Sequence, residues 1–302
     1  MTGAASSQAL NANQADRLIL PLRSERIGVS TGLYPNLPLT KALTRVRQNL
    51  HVRCVELSDG HVVAPFAPID EIKGARELMH ALEIDPVQMH MPLTVDTTDP
   101  SPSAALKQLK KALDYAAQLE ADVAVCHLDT LQQGGGTGSR LDACFDPLVE
   151  LVEHARNLGI KVALENFPQS NPLGRMEHLL EVVRTVGGPN LGICVDTGHA
   201  NMGHGLQPWR AIEMADELLI AVHLQDNNGG SDMHLPPGFG EVDWGRVMEA
   251  LTRVGYAGGL IIESAPPFGW LPSNVVDAAI ASFEAKILDS IELLGKLCER
   301  HA

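Results

Sequence analysis

Aromatic residues make up only 4% of this 302-residue chain. Proteins that pry bases apart with side-chain wedges need more of them. Cations are scarce as well: 23 Lys and Arg face 37 Asp and Glu, for a formal net charge of −14. That balance disfavours a broad grip on nucleic acid, which depends on Lys and Arg neutralising phosphates. No apolar run approaches the ~20 residues that a membrane span needs, so no membrane association is expected. Residues 1–16 are polar and have neither a basic start nor an apolar core, so no secretory signal is read there. The five cysteines (Cys54, Cys126, Cys144, Cys194 and Cys298) form no CxxC pair. They read as reduced, buried thiols of a cytoplasmic protein. A long Pro/Gly/Ser-rich linker is also missing. One domain over 26–302 is therefore expected behind an N-terminal arm at 1–25, with 18–22 packing onto the body.

Short apolar runs alternating with amphipathic stretches fill the rest. Strands are expected over 26–30, 52–57, 87–90, 123–127, 161–165, 192–196, 219–224 and 259–263. Helical patterns lie over 103–120, 145–158, 176–186, 244–254 and 275–298. Ser103 and Ser273 are candidate N-caps, and Gly159, Gly187 and Gly255 are candidate helix terminators. Eight β-then-α units in about 270 residues fit a (β/α)8 TIM barrel. A doubly wound sheet would carry ligands at one switch point only. Gly134-Gly-Gly-Thr-Gly138 is a flexible loop after strand four, without the Lys and spacing of a P-loop. The apolar face over 271–302 either covers the barrel or makes a homodimer contact.

Polar residues cluster where the strands run out. Strand three ends at His90, strand four at His127, strand five at Glu165 with Asn166 after it, and strand eight at Glu263. Strand six gives Asp196-Thr197-Gly198-His199, and strand seven gives His223, with Asp232 and His234 in its loop. Each taken alone has a bland reading as a hydrogen-bonded barrel residue or an ion-pair partner. Together they converge on one barrel mouth, where so many carboxylates and imidazoles need a cation to organise them. A divalent metal site is therefore expected. Of the remaining histidines, His61 and His204 are the candidates for lining the mouth. Gly238 and Gly240 suit a tight path after His234, with Glu241 or Asp243 capping the helix near Trp244.

The Asp196-Thr-Gly-His199 motif and the block from His223 through Asp232-Met-His234 to Pro236-Pro-Gly-Phe-Gly240 resemble the xylose isomerase-like TIM barrels. That group joins sugar and sugar-phosphate isomerases and epimerases to endonuclease IV (AP endonuclease family 2). The resemblance runs from about Arg26 to Glu263. The epimerase branch implies one Mn2+, Mg2+ or Co2+ ion held by Glu165, Asp196, His223 and Glu263. Its two glutamates, Glu165 and Glu263, would act as an acid/base pair on an enediolate. The endonuclease IV branch implies two or three Zn2+ ions on nine ligands: His90, His127, Glu165, Asp196, His199, His223, Asp232, His234 and Glu263. All nine positions carry the right residue type. Departures point away from DNA: Met91 stands where the DNA enzymes place an aromatic, the strand-one loop has no Arg, and Leu128-Asp129 replaces a Pro-Gly.

The expectation is thus a metal-dependent isomerase or epimerase acting on a small sugar-like substrate. His90, His199, Asn166 and Trp270 are the candidate substrate contacts. A multinuclear zinc phosphodiesterase, or a keto-sugar lyase or dehydratase using the same parts, is the alternative.

Overall fold

In the computed structural model, parallel strands pair in strict chain order and the last returns to the first. They are β1 (Ile27–Ser30), β2 (Cys54–Leu57), β3 (Asp85–His90), β4 (Val123–Cys126), β5 (Lys161–Glu165), β6 (Leu191–Asp196), β7 (Leu219–Leu224) and β8 (Leu260–Ile262). Closure is made by Ile27 of β1 beside Leu260 of β8. This is the expected (β/α)8 barrel. The structure describes residues 21–62, 69–93, 103–131, 141–168, 172–202, 206–266 and 273–301. Among them, no helix is long and apolar enough to cross a membrane.

Two apolar layers follow from the period of two along a strand. In β4, Val123 and Val125 join Ala163, Cys194 and Ala221 in a cluster inside the barrel. Ala124 and Cys126 instead join the larger cluster between strands and helices. The same alternation places Val162 and Leu164 of β5, Ile193 and Val195 of β6, and Val222 and Leu224 of β7 toward the helices. The next inward position after Ala163 is Glu165, after Cys194 it is Asp196, and after Ala221 it is His223. The functional side chains are thus the top layer of a packed barrel interior. Fully buried Val125 and Ile261 below them each contribute about 1.5–3 kcal/mol of transfer free energy.

The helices bury one face each. Met176–Val186 buries Met176, Leu179, Leu180, Val182 and Val183, and Gly187, at φ 67°, ends it. Gly159 ends Phe145–Leu158 in the left-handed conformation, at φ 77° and ψ 15°. Ala104–Gln118 begins after Ser103, but the Ser103 side chain makes no capping bond, so that expectation fails. Asp243, rather than Glu241, caps Trp244–Arg253 by accepting from Arg246 N at 3.1 Å. The long helix Ser273–Arg300 uses its apolar face on the barrel, burying Ile280, Phe283, Ile287, Leu294 and Leu297. Its buried Glu284 accepts from Tyr34, Arg45 and Asn49 and ties the helix to the segment after β1. Leu22 also packs into the core, as expected for the end of the arm. None of the five cysteines is in a disulfide, and all are buried.

Candidate metal centre

Glu165 is the hub of the barrel mouth. Its carboxylate is 1% exposed. Oε2 accepts from His127 Nε2 at 2.8 Å and His90 Nε2 at 3.2 Å. Oε1 faces His223 Nδ1 at 3.1 Å and His199 Nδ1 at 3.4 Å. Four imidazoles thus surround one buried carboxylate. Burial alone would raise its pKa; the charges of His223 and His127 and the hydrogen bonds to His127 and His199 outweigh it and hold Glu165 well below the usual range.

Asp196 ends β6 and turns into a short helix, Thr197–Asn201. Its carboxylate accepts from His199 N at 2.6 Å, which caps that helix and swings His199 over the mouth. Burial raises the Asp196 pKa. Gly198 is required here by space: a Cβ would lie 2.2 Å from the Gln225 side chain. Gln225 donates to both Asp232 Oδ1 at 2.9 Å and Asp196 Oδ2 at 3.3 Å, so it bridges two of the expected ligands.

The loop after β7 is closed at its base. Asp226 and Leu235 pair as an antiparallel bridge. The buried Asp226 carboxylate accepts from Asn227 N, Gly238 N, Val242 N and Trp244 Nε1, all between 2.9 and 3.0 Å. Gly240 lets the chain pass close by, since a Cβ there would meet Asp226 Oδ1 at 2.3 Å. His234 sits at φ 44°, in the left-handed region that a histidine enters at a cost. From there its Nε2 lies 3.2 Å from Asp232 Oδ2, and His199 Nε2 reaches the same oxygen at 3.2 Å.

All nine expected ligands therefore converge. Their donor atoms fall into three groups, each within 4.8 Å: His90, His127 and Glu165; Glu165, Asp196, His223 and Glu263; and His199, Asp232 and His234. A divalent cation suits this donor set on two counts. Burial opposes charge on His90 and His234, yet the carboxylates around them raise both pKa values to about 9. Protons thus fill the place of positive charge between these groups. And Glu263 has a buried oxygen, Oε2, with no hydrogen-bond partner, its pKa pushed up to about 7 chiefly by burial.

Several placements differ from the expectation. Ladder pairing stops at Cys126 and Ile262, so His127 and Glu263 begin loops rather than end strands. Both ends of the Asn166 amide bind the Asp196 backbone, at 2.7 and 3.1 Å. His61 does not line the mouth, because its ring is held by the carbonyls of Tyr34 and Leu37. Trp270, His204 and the Gly134–Gly138 loop lie outside the described residues.

Glu56 of β2 is the residue the sequence reading missed. It is fully buried and accepts from His223 Nε2 at 2.6 Å and Gln88 Nε2 at 2.8 Å. A carboxylate behind an imidazole fixes which ring nitrogen faces a metal, here Nδ1. The signal was present: Cys54-Val-Glu56 repeats the inward spacing of Cys194-Val-Asp196. Phe167 was also missed. Its ring stacks on His199 with centroids 5.2 Å apart and meets His127 edge-on at 4.0 Å.

Comparison with known proteins agrees with this architecture. The family model described as "Xylose isomerase-like TIM barrel" matches residues 49–285. An uncharacterized protein of Methanocaldococcus jannaschii is 31% identical over 255 residues, covering 79% of this chain and 83% of that one. A ketose 3-epimerase of Arthrobacter globiformis is 34% identical over 116 residues, 38% of each chain. A crystal structure of a D-tagatose 3-epimerase-like protein superposes with a TM-score of 0.66 at 26% identity, covering 89% of this chain and 98% of that one.

Proposed function

From the premise that this chain belongs to the xylose isomerase-like TIM barrel family, we propose that it is a divalent-metal-dependent sugar isomerase or epimerase. The observation that carries the reading is the group of buried Glu165, Asp196 and His223 with half-buried Glu263, whose donor atoms lie within 4.8 Å of one another at the barrel mouth. The ketose 3-epimerase relative and the epimerase-like structural neighbour support the same chemistry.

When bound there, Mn2+, Mg2+ or Co2+ supplies positive charge that stabilises a negative oxygen as the neighbouring carbon loses its proton. The chain's own carboxylates do the proton transfer. Without an ion, the surrounding imidazoles outweigh burial and hold Glu165 low, while burial pushes Glu263 up to about 7, an asymmetry that suits a base paired with an acid. Glu165 takes the proton from the carbon beside the carbonyl, and Glu263 returns one. In the reverse direction the roles exchange. His223, backed by Glu56, keeps its Nδ1 turned to the pair. Buried Phe167 neighbours, His127 and His199, are held in place by ring contact.

The test is a panel of ketoses with the Mn2+-loaded protein in D2O, followed by NMR. Deuterium entering the carbon next to the carbonyl, together with a new epimer or isomer, is expected. Its absence across the panel, in protein shown to hold metal, would contradict the proposal.

One observation favours a second reading. The ligand atoms form three groups rather than one, as a two- or three-zinc phosphodiesterase would need. Two or three zinc ions per chain, with cleavage of abasic-site DNA, would select it over the first.

A further inference from the structure

At the end of the barrel opposite the ligand cluster, two cavities of about 510 and 580 Å3 adjoin. Arg26, Tyr256, Ala257 and Gly258 line both, so they form one groove. Val123, Lys161, Leu219 and Leu260, each the first residue of its strand, line it too, which places it at the face where strands begin. Tyr256 is 5% exposed and donates to Gly259 O at 2.8 Å, which fixes the floor. Ala257 is exposed on the wall.

Arg26 donates from Nη1 to Asp85 Oδ2 at 3.0 Å, yet its Nε is buried and, among the described residues, nothing accepts from it. Buried polar atoms without partners are rare and call for an explanation. The described residues also start at this groove. Pro21 and Leu22 line the larger cavity, and Leu22 already packs into the core. Residues 1–20 lie outside the described residues, and those just before Pro21 read Arg17-Leu-Ile-Leu20. A proline at 21 biases Leu20 toward extended backbone. In an extended run, the period of two places Leu18 and Leu20 on the side of Leu22. Four extended residues reach about 13 Å from Pro21.

We propose that residues 17–20 of the same chain seat in this groove and close the end of the barrel away from the metal centre. Leu18 and Leu20 lie against the wall that Pro21, Ala257 and Gly258 form. A backbone carbonyl of the segment accepts from Arg26 Nε. Arg17 meets a rim whose carboxylates, Asp122, Asp216 and Glu217, face Lys161, while Arg26 is already held by Asp85. Because the segment is tethered through Pro21, its docking is intramolecular, and a small apolar contact is enough to keep it seated. The proposal stands apart from the reaction at the other end of the barrel.

The experiment is thiol labelling of the full chain with a maleimide. All five native cysteines are buried, so an introduced surface thiol dominates the reaction. Ala257→Cys places it in the groove, and Val149→Cys, at a position 41% exposed and outside both cavities, serves as the control. The Ala257→Cys thiol should react at least tenfold more slowly in the otherwise unaltered chain than in one that also carries Leu18→Asp and Leu20→Asp. Arg17→Glu, which leaves the apolar run intact, should accelerate it at least threefold. The Val149→Cys thiol should react at the same rate in every background, a pattern that misfolding does not produce. Equal rates for the Ala257→Cys thiol in all backgrounds, or equal acceleration at both positions, would overturn the proposal. Protection that disappears on hundredfold dilution, together with a dimer by light scattering, would mean that the arm of a second copy fills the groove, and would overturn it as well.

Discussion

Replacing Asp226 by Ala tests how the β7 loop is built. The carboxylate is fully buried and accepts from four donors: Asn227 N and Val242 N at Oδ1, and Gly238 N and Trp244 Nε1 at Oδ2. Hydrogen bonds to a charged group contribute roughly 1.5–3 kcal/mol each. They are not additive here, because the four donors share one anchor. Removing the carboxylate leaves four buried N–H donors without an acceptor, at roughly 1–3 kcal/mol for each that nothing else satisfies, so about 3–5 kcal/mol in all. At roughly 2–4 °C per kcal/mol for a chain of this size class, the melting temperature should fall by about 10 °C. Asp226→Asn should not rescue it: either orientation of the amide turns an NH2 group toward two of the four N–H donors. The assay is thermal unfolding in EDTA, so that lost metal does not enter the comparison. The variant should also hold less metal through Asp232 and His234, which this loop carries, than through Glu165, Asp196, His223 and Glu263. A melting temperature within about 2 °C of wild type would refute the reasoning.

Other expectations follow from the same geometry. Gly198→Ala should displace Gln225 from its bridge between Asp196 and Asp232; chelator competition should show metal affinity down by about 10–100-fold, the usual cost of a lost outer partner. Glu165→Gln should abolish turnover while circular dichroism shows the barrel intact; near-normal rates would remove Glu165 from the chemistry. Metal-free protein should lose stability as pH rises from 6.5 through about 9, because His90 and His234 have folded pKa values raised to about 9. Their protonation stabilises the folded state fully below the unfolded value of 6.5 and is lost above the folded one. Urea midpoints from pH 6 to 10 in EDTA would read this, and a midpoint rising over that window would count against it.

Most of the site was legible because a parallel barrel sends every strand end to one mouth. Nine ligand candidates, picked from strand ends and two adjoining segments, do converge. What the sequence concealed had physical causes. Glu56 lies one residue before the end of β2, inside an apolar run, so inspecting only the last residue passed over it; the inward period of two would have found it. Asp226 and Gln225 read as ordinary loop polarity, yet both are fully buried, because a loop that presents two ligand candidates needs its own polar core. Asn166 has a structural role that its position beside Glu165 did not reveal: both ends of its amide bind the Asp196 backbone. Ser103 precedes its helix as a cap should, yet its side chain makes no capping bond, since sequence position does not set side-chain direction.

The account's central claim is that the barrel mouth is a metal centre whose positive charge is supplied by protons when no ion is bound. Calorimetric titration of Mn2+ or Zn2+ into chelator-treated protein at pH 7, in buffers of different ionisation enthalpy, tests it most directly. At least one tightly bound equivalent is predicted, with net proton release, because the raised imidazoles of His90 and His234 must give up protons as ligands. Binding without proton release, or no stoichiometric binding at all, would contradict it.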